Sequence, residues 1–190
     1  MIDYWERRGA TYEDEFQRTT VFEEQEERLM TALRASYQRS PWDSILEVGC
    51  GFGRITELVR QEWPGVYIEA VDVSSDQLVR AVRHIPDVNF KRSSIQDYQP
   101  TRRFGLVLAV ETLMHVPPDE IHAVTRKMIG LATRWVVTLD WAPDGPLPER
   151  IAPHNWAHDY IGLLWPLGYR EQVGGQAIHV HRRADDRMQG

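Results

Sequence analysis

From Ser44 onward the chain alternates short apolar runs with amphipathic segments, and no other feature limits its fold as strongly. The runs are Ser44 to Val48, Val66 to Val71, Val88 to Lys91, Gly105 to Val110 and Trp135 to Leu139. Between them apolar residues recur at helical spacing: Ile55, Leu58 and Val59, then Leu78, Val79 and Val82, then Ile121, Val124, Met128 and Leu131. Ser74-Ser75-Asp76-Gln77 reads as a capping box, and Pro117-Pro118-Asp119-Glu120 suits a first helical turn. Strands that are apolar along their whole length, separated by helices, predict an α/β fold with a doubly wound, mostly parallel sheet covered on both faces.

The two ends differ from this middle. Thr20 to Tyr37 reads as a helix with Phe22, Leu29, Met30, Leu33 and Tyr37 on one face, and the run Glu23-Glu24-Gln25-Glu26-Glu27 reads as its solvated side. Ser40-Pro41 ends this arm. At the other end, Ala157 to Leu167 has a helical pattern stopped by Gly168. Tyr169 to Val173 and Ala177 to Arg182 then read as an antiparallel hairpin turned at Gly174-Gly175. The expected organisation is an N-terminal helical arm over residues 1–40, a single core over 41–183 and a tail over 184–190.

Composition narrows the function. The 190 residues carry a net charge of −6, and the basic residues are scattered, which disfavours nucleic acid as a partner. The one cysteine, Cys50, rules out an internal disulfide and a zinc site built on several thiolates. No apolar run is long enough to span a bilayer, and the acidic, aromatic start lacks the pattern of a secretory signal, so a cytoplasmic protein is expected.

Glycines 49, 51 and 53 follow the first strand and open a helix, where backbone approaches a ligand closely and free N–H groups point at it. The next strand runs into Asp72, at the distance expected of an acid that binds a ribose diol. A dinucleotide is disfavoured, because Arg54 stands where its fingerprint wants a third glycine. Glu47, two residues before the first glycine, suits a ligand carrying positive charge instead.

Glu47-Val48-Gly49-Cys50-Gly51-Phe52-Gly53 resembles the first motif of the class I S-adenosylmethionine-dependent methyltransferases, and Val71-Asp72-Val73-Ser74 resembles their second. Ser93 to Tyr98 sits where that family's adenine-contacting segment follows the third strand, and Phe104 to Val116 resembles the fourth-strand motif with its loop. The match runs from about Trp42 to His181 in the family's order and spacing. It implies a Rossmann-like fold, S-adenosyl-L-methionine as cofactor and S-adenosyl-L-homocysteine as product. By the resemblance, Glu47, Gly49, Cys50 and Gly51 border the cofactor, with Cys50 a small turn residue rather than a nucleophile. Asp72 takes the ribose hydroxyls, Val73 covers one adenine face, and Ser94 and Ile95 meet its edge. Ala109 and Val110 offer backbone to the methionine end. Ser94 departs from the aspartate of many relatives, which leaves the adenine amino contact to backbone or to Asp97.

A sulfonium is already an activated electrophile, so alignment of an acceptor lone pair opposite the C–S bond supplies much of the rate, and a hydroxyl acceptor also needs a base. Three regions are expected to wall the acceptor. In the loop Glu111 to His115, His115 is the candidate base and Glu111 its catalytic neighbour, with local packing as the alternative for the histidine. The proline-rich segment Asp140 to Asn155 offers Trp141, His154 and Asn155 to a substrate. The N-terminal arm concentrates Tyr4, Trp5, Tyr12 and Phe16, and similar arms fold over the cofactor as a lid. Trp5 and Tyr12 would exclude water, and Arg8 would meet the cofactor carboxylate or an anionic substrate; dimer contact is the alternative. Histidines 154, 158, 179 and 181 could converge on a metal, but the Asp-Asn pair of the metal-dependent catechol methyltransferases is Asp140-Trp141 here, so none is expected. The expectation is methylation of a small molecule, more at oxygen than nitrogen, by a monomer or homodimer with no membrane or nucleic-acid partner. Methylation of a protein or RNA, and cofactor binding without catalysis, stand as the alternatives.

Overall fold

The computed structural model describes residues 2–15, 20–141, 152–164 and 176–182. Two helices, α1 (Ile2–Glu15) and α2 (Thr20–Arg39), come first. Then follow β1 (Ser44–Val48), α3 (Arg54–Glu62), β2 (Tyr67–Asp72), α4 (Ser75–His84), β3 (Asn89–Arg92) and β4 (Phe104–Val110). A 3-10 turn at Leu113–His115 leads to α5 (Ile121–Leu131), β5 (Ala132–Trp141), α6 (Tyr160–Leu164) and β6 (Gln176–Arg182). The strands form one sheet in the order β3-β2-β1-β4-β5-β6. Neighbours from β3 to β5 are parallel, and β6 runs antiparallel to β5. This is the doubly wound, mostly parallel sheet that the alternation of runs predicts. The hairpin strand Tyr169 to Val173 with its Gly174-Gly175 turn, Phe16, residues 142–151 and the tail lie outside the described residues. No helix among the described residues is long and apolar enough to cross a membrane.

Because strand side chains alternate between faces, the uninterrupted apolar strands feed two cores at once. On one side Ile45, Ile68, Leu106 and Leu108 pack with Leu29 and Leu33 of α2 and Val59 of α3. On the other, Leu46, Val107 and Val136 pack with Ile121, Val124 and Met128 of α5. Each such fully buried aliphatic side chain contributes ~1.5–3 kcal/mol of hydrophobic stabilisation.

Three polar details depart from the sequence pattern. In α4, Val79 and Val82 are exposed, and the inward face is Gln77, Leu78 and Ala81. In α2, Gln25 and Glu26 are buried rather than solvated, whereas Glu23, Glu24 and Glu27 are exposed. Glu69 of β2 is buried and takes bonds from Lys91 at 2.7 Å, Asn89 at 2.9 Å, Tyr67 at 2.8 Å and Tyr98. Burial raises its pKa, but these donors outweigh that and hold the carboxyl below its ordinary value.

β1 lies between β2 and β4, so the chain leaves it in opposite directions on its two sides. That reversal opens a crevice beyond the carboxyl ends of the central strands, where open α/β sheets bind ligands. Packing beneath the crevice is tight at Gly105 of β4. A Cβ there would stand 2.6 Å from the Trp42 Cβ and 3.3 Å from the Ser44 carbonyl oxygen. Trp42 is itself fixed between Tyr37 and Trp63 by ring contacts at 5.0 and 4.7 Å. Gly105→Ala is therefore expected to lower unfolding stability by about 1–3 kcal/mol, the usual cost of overpacking, measured by denaturant titration.

Candidate functional site

The glycine turn is built by backbone that only glycine adopts readily. Gly49, Gly51 and Gly53 have φ of 72°, 56° and 94°. The N–H groups of Gly49 and Cys50 both donate to the Val71 carbonyl, at 2.8 and 3.1 Å, which ties the exit of β1 to that of β2. Gly51 N–H then donates to Oδ2 of Asp72 at 2.8 Å, and Ser74 N–H to its Oδ1 at 2.9 Å. Burial nonetheless raises the Asp72 pKa against these donors. Gly49 also leaves room for Thr112, whose Oγ1 would lie 2.3 Å from a Cβ at that position. The Thr112 hydroxyl reaches the carbonyls of Val110 and Val48 at 3.0 and 3.2 Å, joining the loop after β4 to the turn.

Above this turn lies a cavity of about 640 Å³. Of the residues singled out from sequence, Glu47, Gly49, Cys50, Gly51, Asp72 and Val73 line it, as do Ser94, Ile95, Val110, Glu111 and His115. So do Trp5, Arg8, Tyr12 and Asn155. Ala109 is fully buried beside the wall, Trp141 is partly buried at the end of β5, and neither is part of the lining. His154 stands behind the wall, its ring stacked on Tyr4 with centroids 3.9 Å apart. The Ser94 hydroxyl donates to Asp97 at 2.7 Å. Cys50 is buried, and burial pushes its thiol pKa well up, so it is a neutral wall atom.

Two charged features shape the floor. Glu47 is buried and accepts a bond from the Thr56 hydroxyl at 2.6 Å. Burial pushes its pKa up to about 7, against the opposing effects of Thr56 and Arg54. Arg54, the first residue of α3, bridges Glu26 of α2 at 2.8 Å and Glu111 at 3.3 Å. It also reaches Gln25 at 3.5 Å. This cross-link explains why Gln25 and Glu26 of the acidic run are buried. Sequence periodicity carries no trace of it, because the partners are 28 and 57 residues apart. Glu111 is held at φ 50°, a conformation costing ~1–3 kcal/mol for a residue with a side chain.

The loop carrying His115 is gripped from several sides. Met114 N–H donates to the buried Asp140 carboxyl at 3.2 Å, and Trp156 N–H donates to the Met114 carbonyl at 2.8 Å. His158 Nε2 donates to the Val116 carbonyl at 2.9 Å. Nδ1 of His115 lies 3.1 Å from the His154 carbonyl, which only accepts, so Nδ1 carries the ring proton and Nε2 is the basic nitrogen. Burial lowers the His115 pKa, against the ring's bonds to the His154 carbonyl and the Asn155 side chain, and the ring is neutral at neutral pH. The histidines considered as metal ligands are thus occupied differently: His158 bonds backbone and His179 is buried beside Tyr160. His181 lies at the strand end, and no group of three or more candidate ligands occurs among the described residues.

α1 roofs the cavity. Trp5 meets His115 edge-on with centroids 4.5 Å apart, and Tyr12 lies 5.7 Å from Trp5. At the opposite rim Glu6 pairs with Arg92, and Arg80 donates to the Ala10 carbonyl at 2.7 Å. Several wall residues had no site role assigned from sequence: Arg54, Gln77, Thr112 and Met114. Of these, Gln77 was visible only as a capping residue.

Comparison with known proteins agrees with this architecture. Residues 45–133 match the family model described as a methyltransferase domain. A trans-aconitate 2-methyltransferase of Escherichia coli O157:H7 is 29% identical over 147 residues, covering 75% of this chain and 54% of that protein. That of Afipia carboxidovorans is 30% identical over 159 residues, covering 84% and 57%. The chain therefore spans about half the length of the curated relatives it matches. Among solved structures, magnesium protoporphyrin IX methyltransferase from Synechocystis with bound SAH superposes with a TM-score of 0.75 at 16% identity, covering 96% of this chain and 97% of the other. The N-methyltransferase NodS from Bradyrhizobium japonicum, in complex with S-adenosyl-L-homocysteine, gives 0.64 at 19% identity, over 83% and 86%. Residues 45–133 are thus similar to a methyltransferase domain, and over nearly its whole length the chain shares the fold of these class I methyltransferases.

Proposed function

We propose that the cavity binds S-adenosylmethionine and that the chain transfers its methyl group to a small-molecule acceptor, at oxygen. The observation that carries this reading is the paired floor at the ends of β1 and β2. There Asp72 is pinned beneath Gly51 as a diol acceptor, and the buried carboxyl of Glu47 lies a few residues away for a cationic ligand. The cavity lies within the ~300–1,000 Å³ usual for small-molecule sites. Its roof, with Trp5 against His115, encloses the space an acceptor would occupy. The relatives named for trans-aconitate and magnesium protoporphyrin IX support a small acceptor.

The cofactor, when bound, supplies the activated methyl. The chain's residues then orient and deprotonate. Glu47, Gly49, Gly51 and Asp72 hold the cofactor, with Val73, Ser94 and Ile95 around its base. His115, neutral and with Nε2 basic, takes the proton of an acceptor hydroxyl as the methyl transfers. Glu111, linked to Arg54, and Asn155, bonded to the His115 ring, fix the acceptor side. α1 acts as a lid that excludes water, with Arg8 and Tyr12 beneath it.

Three measurements test this reading. Calorimetry with S-adenosylhomocysteine should show binding to the full chain, weakened about tenfold to a hundredfold in Asp72→Ala, the range for losing a bond to a charged group. Incubation with methyl-labelled cofactor and a fractionated small-molecule extract should label a small acceptor. His115→Asn should cut that turnover by about 10²–10⁴-fold with cofactor affinity retained. Label found only in protein or RNA, or nowhere, rejects the acceptor class.

The third measurement concerns pH. Folding raises the Glu47 pKa from 4.5 to about 7, so the ligand-free protein has the full benefit of the protonated group below pH 4.5 and loses it as pH rises to 7. The loss is about 3 kcal/mol at 1.36 kcal/mol per unit. Thermal melts of wild type and Glu47→Gln should diverge over that interval, the variant becoming relatively more stable toward neutral pH. Cofactor affinity should instead strengthen as pH rises through 7, because the cation favours the ionised carboxylate.

A further inference from the structure

Asp140, near the end of β5, is fully buried and takes no part in the cavity lining. No cation is among the groups that act on it, and its Oδ2 has no hydrogen-bond partner among the described residues. A carboxyl taken out of water without a counter-ion is unfavourable, and an apolar side chain of similar size would serve the core as well or better. What Asp140 does have is backbone. Met114 N–H donates to its Oδ1 at 3.2 Å. Burial pushes its pKa well up; the Met114 N–H opposes that, the Glu111 charge adds to it, and the N–H groups of Leu113 and Thr112 oppose it again. No backbone carbonyl among the described residues accepts from any of these three N–H groups.

The three residues follow directly on Glu111, whose φ of 50° strains its backbone. Such a residue stays in place only where its neighbours are fixed. On one side, Glu111 N–H is tied to the Leu139 carbonyl at 2.6 Å. On the other, the ties are the three N–H groups gathered by Asp140. Two successive residues of β5 thus grip both ends of one strained link. Beyond it the turn closes on itself, His115 N–H to the Thr112 carbonyl and Val116 N–H to the Leu113 carbonyl, both at 3.0 Å. His115 rides on that turn, and its ring lines the cavity while Asp140 does not. Asp140 can therefore reach the site only through the turn.

We propose that Asp140 is a positioning residue: its buried carboxyl gathers the N–H groups of Thr112, Leu113 and Met114 and so holds the turn that presents the His115 ring to the cavity. Support from a strand side chain is firmer than support from another loop, which suits a group whose placement must be exact. This assignment rests on the reading of His115 as the base.

The test uses the full chain as wild type, Asp140→Leu and Asp140→Asn, each with ring-labelled histidine for nitrogen NMR. The His115 signals are identified by their loss in His115→Asn. Leucine removes both acceptor oxygens; asparagine keeps one. Wild type should carry its ring proton on Nδ1. In Asp140→Leu the His115 signals should move toward those of free histidine. Turnover with methyl-labelled cofactor and the small-molecule extract should fall about 10²-fold, the effect of a ~1 Å misplacement. Asp140→Asn should restore most of both. The thermal midpoint and S-adenosylhomocysteine affinity should not fall, because Thr112 and Met114 are only partly buried and their N–H groups can turn to water. Unmoved His115 signals in Asp140→Leu overturn the proposal, as does an asparagine variant that restores nothing. A shift that comes with a lowered midpoint or weaker S-adenosylhomocysteine binding also overturns it, since a residue that only holds the fold would act that way. Should Asp140→Leu not fold, amide exchange on wild type decides: protection at Thr112, Leu113 and Met114 upholds the proposal, and exchange at the rate of an open chain rejects it. Failure of the base reading looks different, for His115→Asn would then keep its turnover whatever the spectra of the Asp140 variants.

Discussion

The structure depends first on two adjacent N–H groups, those of Gly49 and Cys50, sharing the single carbonyl of Val71. That bond set fixes the exits of β1 and β2 side by side and turns the chain sharply enough to need positive φ at three alternate residues. Everything in the floor follows. Gly51 comes to rest over Asp72, Gly53 starts α3 without a side-chain cap, and the missing Cβ of Gly49 admits Thr112 from the loop after β4. A side chain at position 49 would have to displace Thr112, and with it the loop that carries Glu111 and His115. The turn is therefore a joint between the half of the site that meets Asp72 and the half that meets His115, as well as a seat for a ligand.

Charge in the cavity is arranged around burial. Glu47 and Asp72 are both pushed toward their neutral forms by removal from water, and their hydrogen-bond donors only partly offset that. A wall of destabilised carboxyls is an environment that a positively charged, hydroxyl-rich ligand improves. An anion at the same place would deepen the penalty. Arg54 keeps the arrangement tolerable from the side, joining α2, α3 and the loop after β4 through Glu26 and Glu111. Partly buried and shared between two carboxylates, it holds geometry more than it adds stability.

Much of this was legible in the sequence, and the limits have physical causes. The strands announced themselves because a parallel sheet buried on both faces needs apolar residues at every position, and the glycine turn because only glycine tolerates its backbone. Asp72 could be placed since its distance from the turn is fixed by one helix and one strand. What failed were inferences from helical faces. Val79 and Val82 look like core residues of α4 but are exposed, while the polar Gln77 takes an inward position because the cavity, rather than the core, lies there. The acidic run in α2 looks solvated, yet Glu26 is buried by an arginine 28 residues away that marks no local pattern. Ala109 shows a finer limit: strand alternation turns its side chain to the fully buried face beside the cavity while Val110 reaches the lining. Pairings made across the sheet are invisible to any reading that moves along the chain.

The roof obeys a different economy from the floor. α1 is 14 residues long, a length at which an isolated helix is marginal in water. Its link from Glu6 to Arg92 is solvent-exposed, and such pairs are worth ~0–1 kcal/mol; the ring contacts of Trp5 and Tyr4 add ~0.5–1.5 kcal/mol each. The bond from Arg80 to the Ala10 carbonyl adds to these, and the docking spans both halves of the site at once. Gly9 makes the point in a single residue. A glycine inside a helix costs ~1 kcal/mol relative to alanine, so the isolated helix is weakened by it. Yet a Cβ at position 9 would stand 1.9 Å from the Ser74 hydroxyl, and the helix could not lie where it does. A residue that disfavours the helix alone and permits it only when seated on α4 is what a roof tied to its cavity requires.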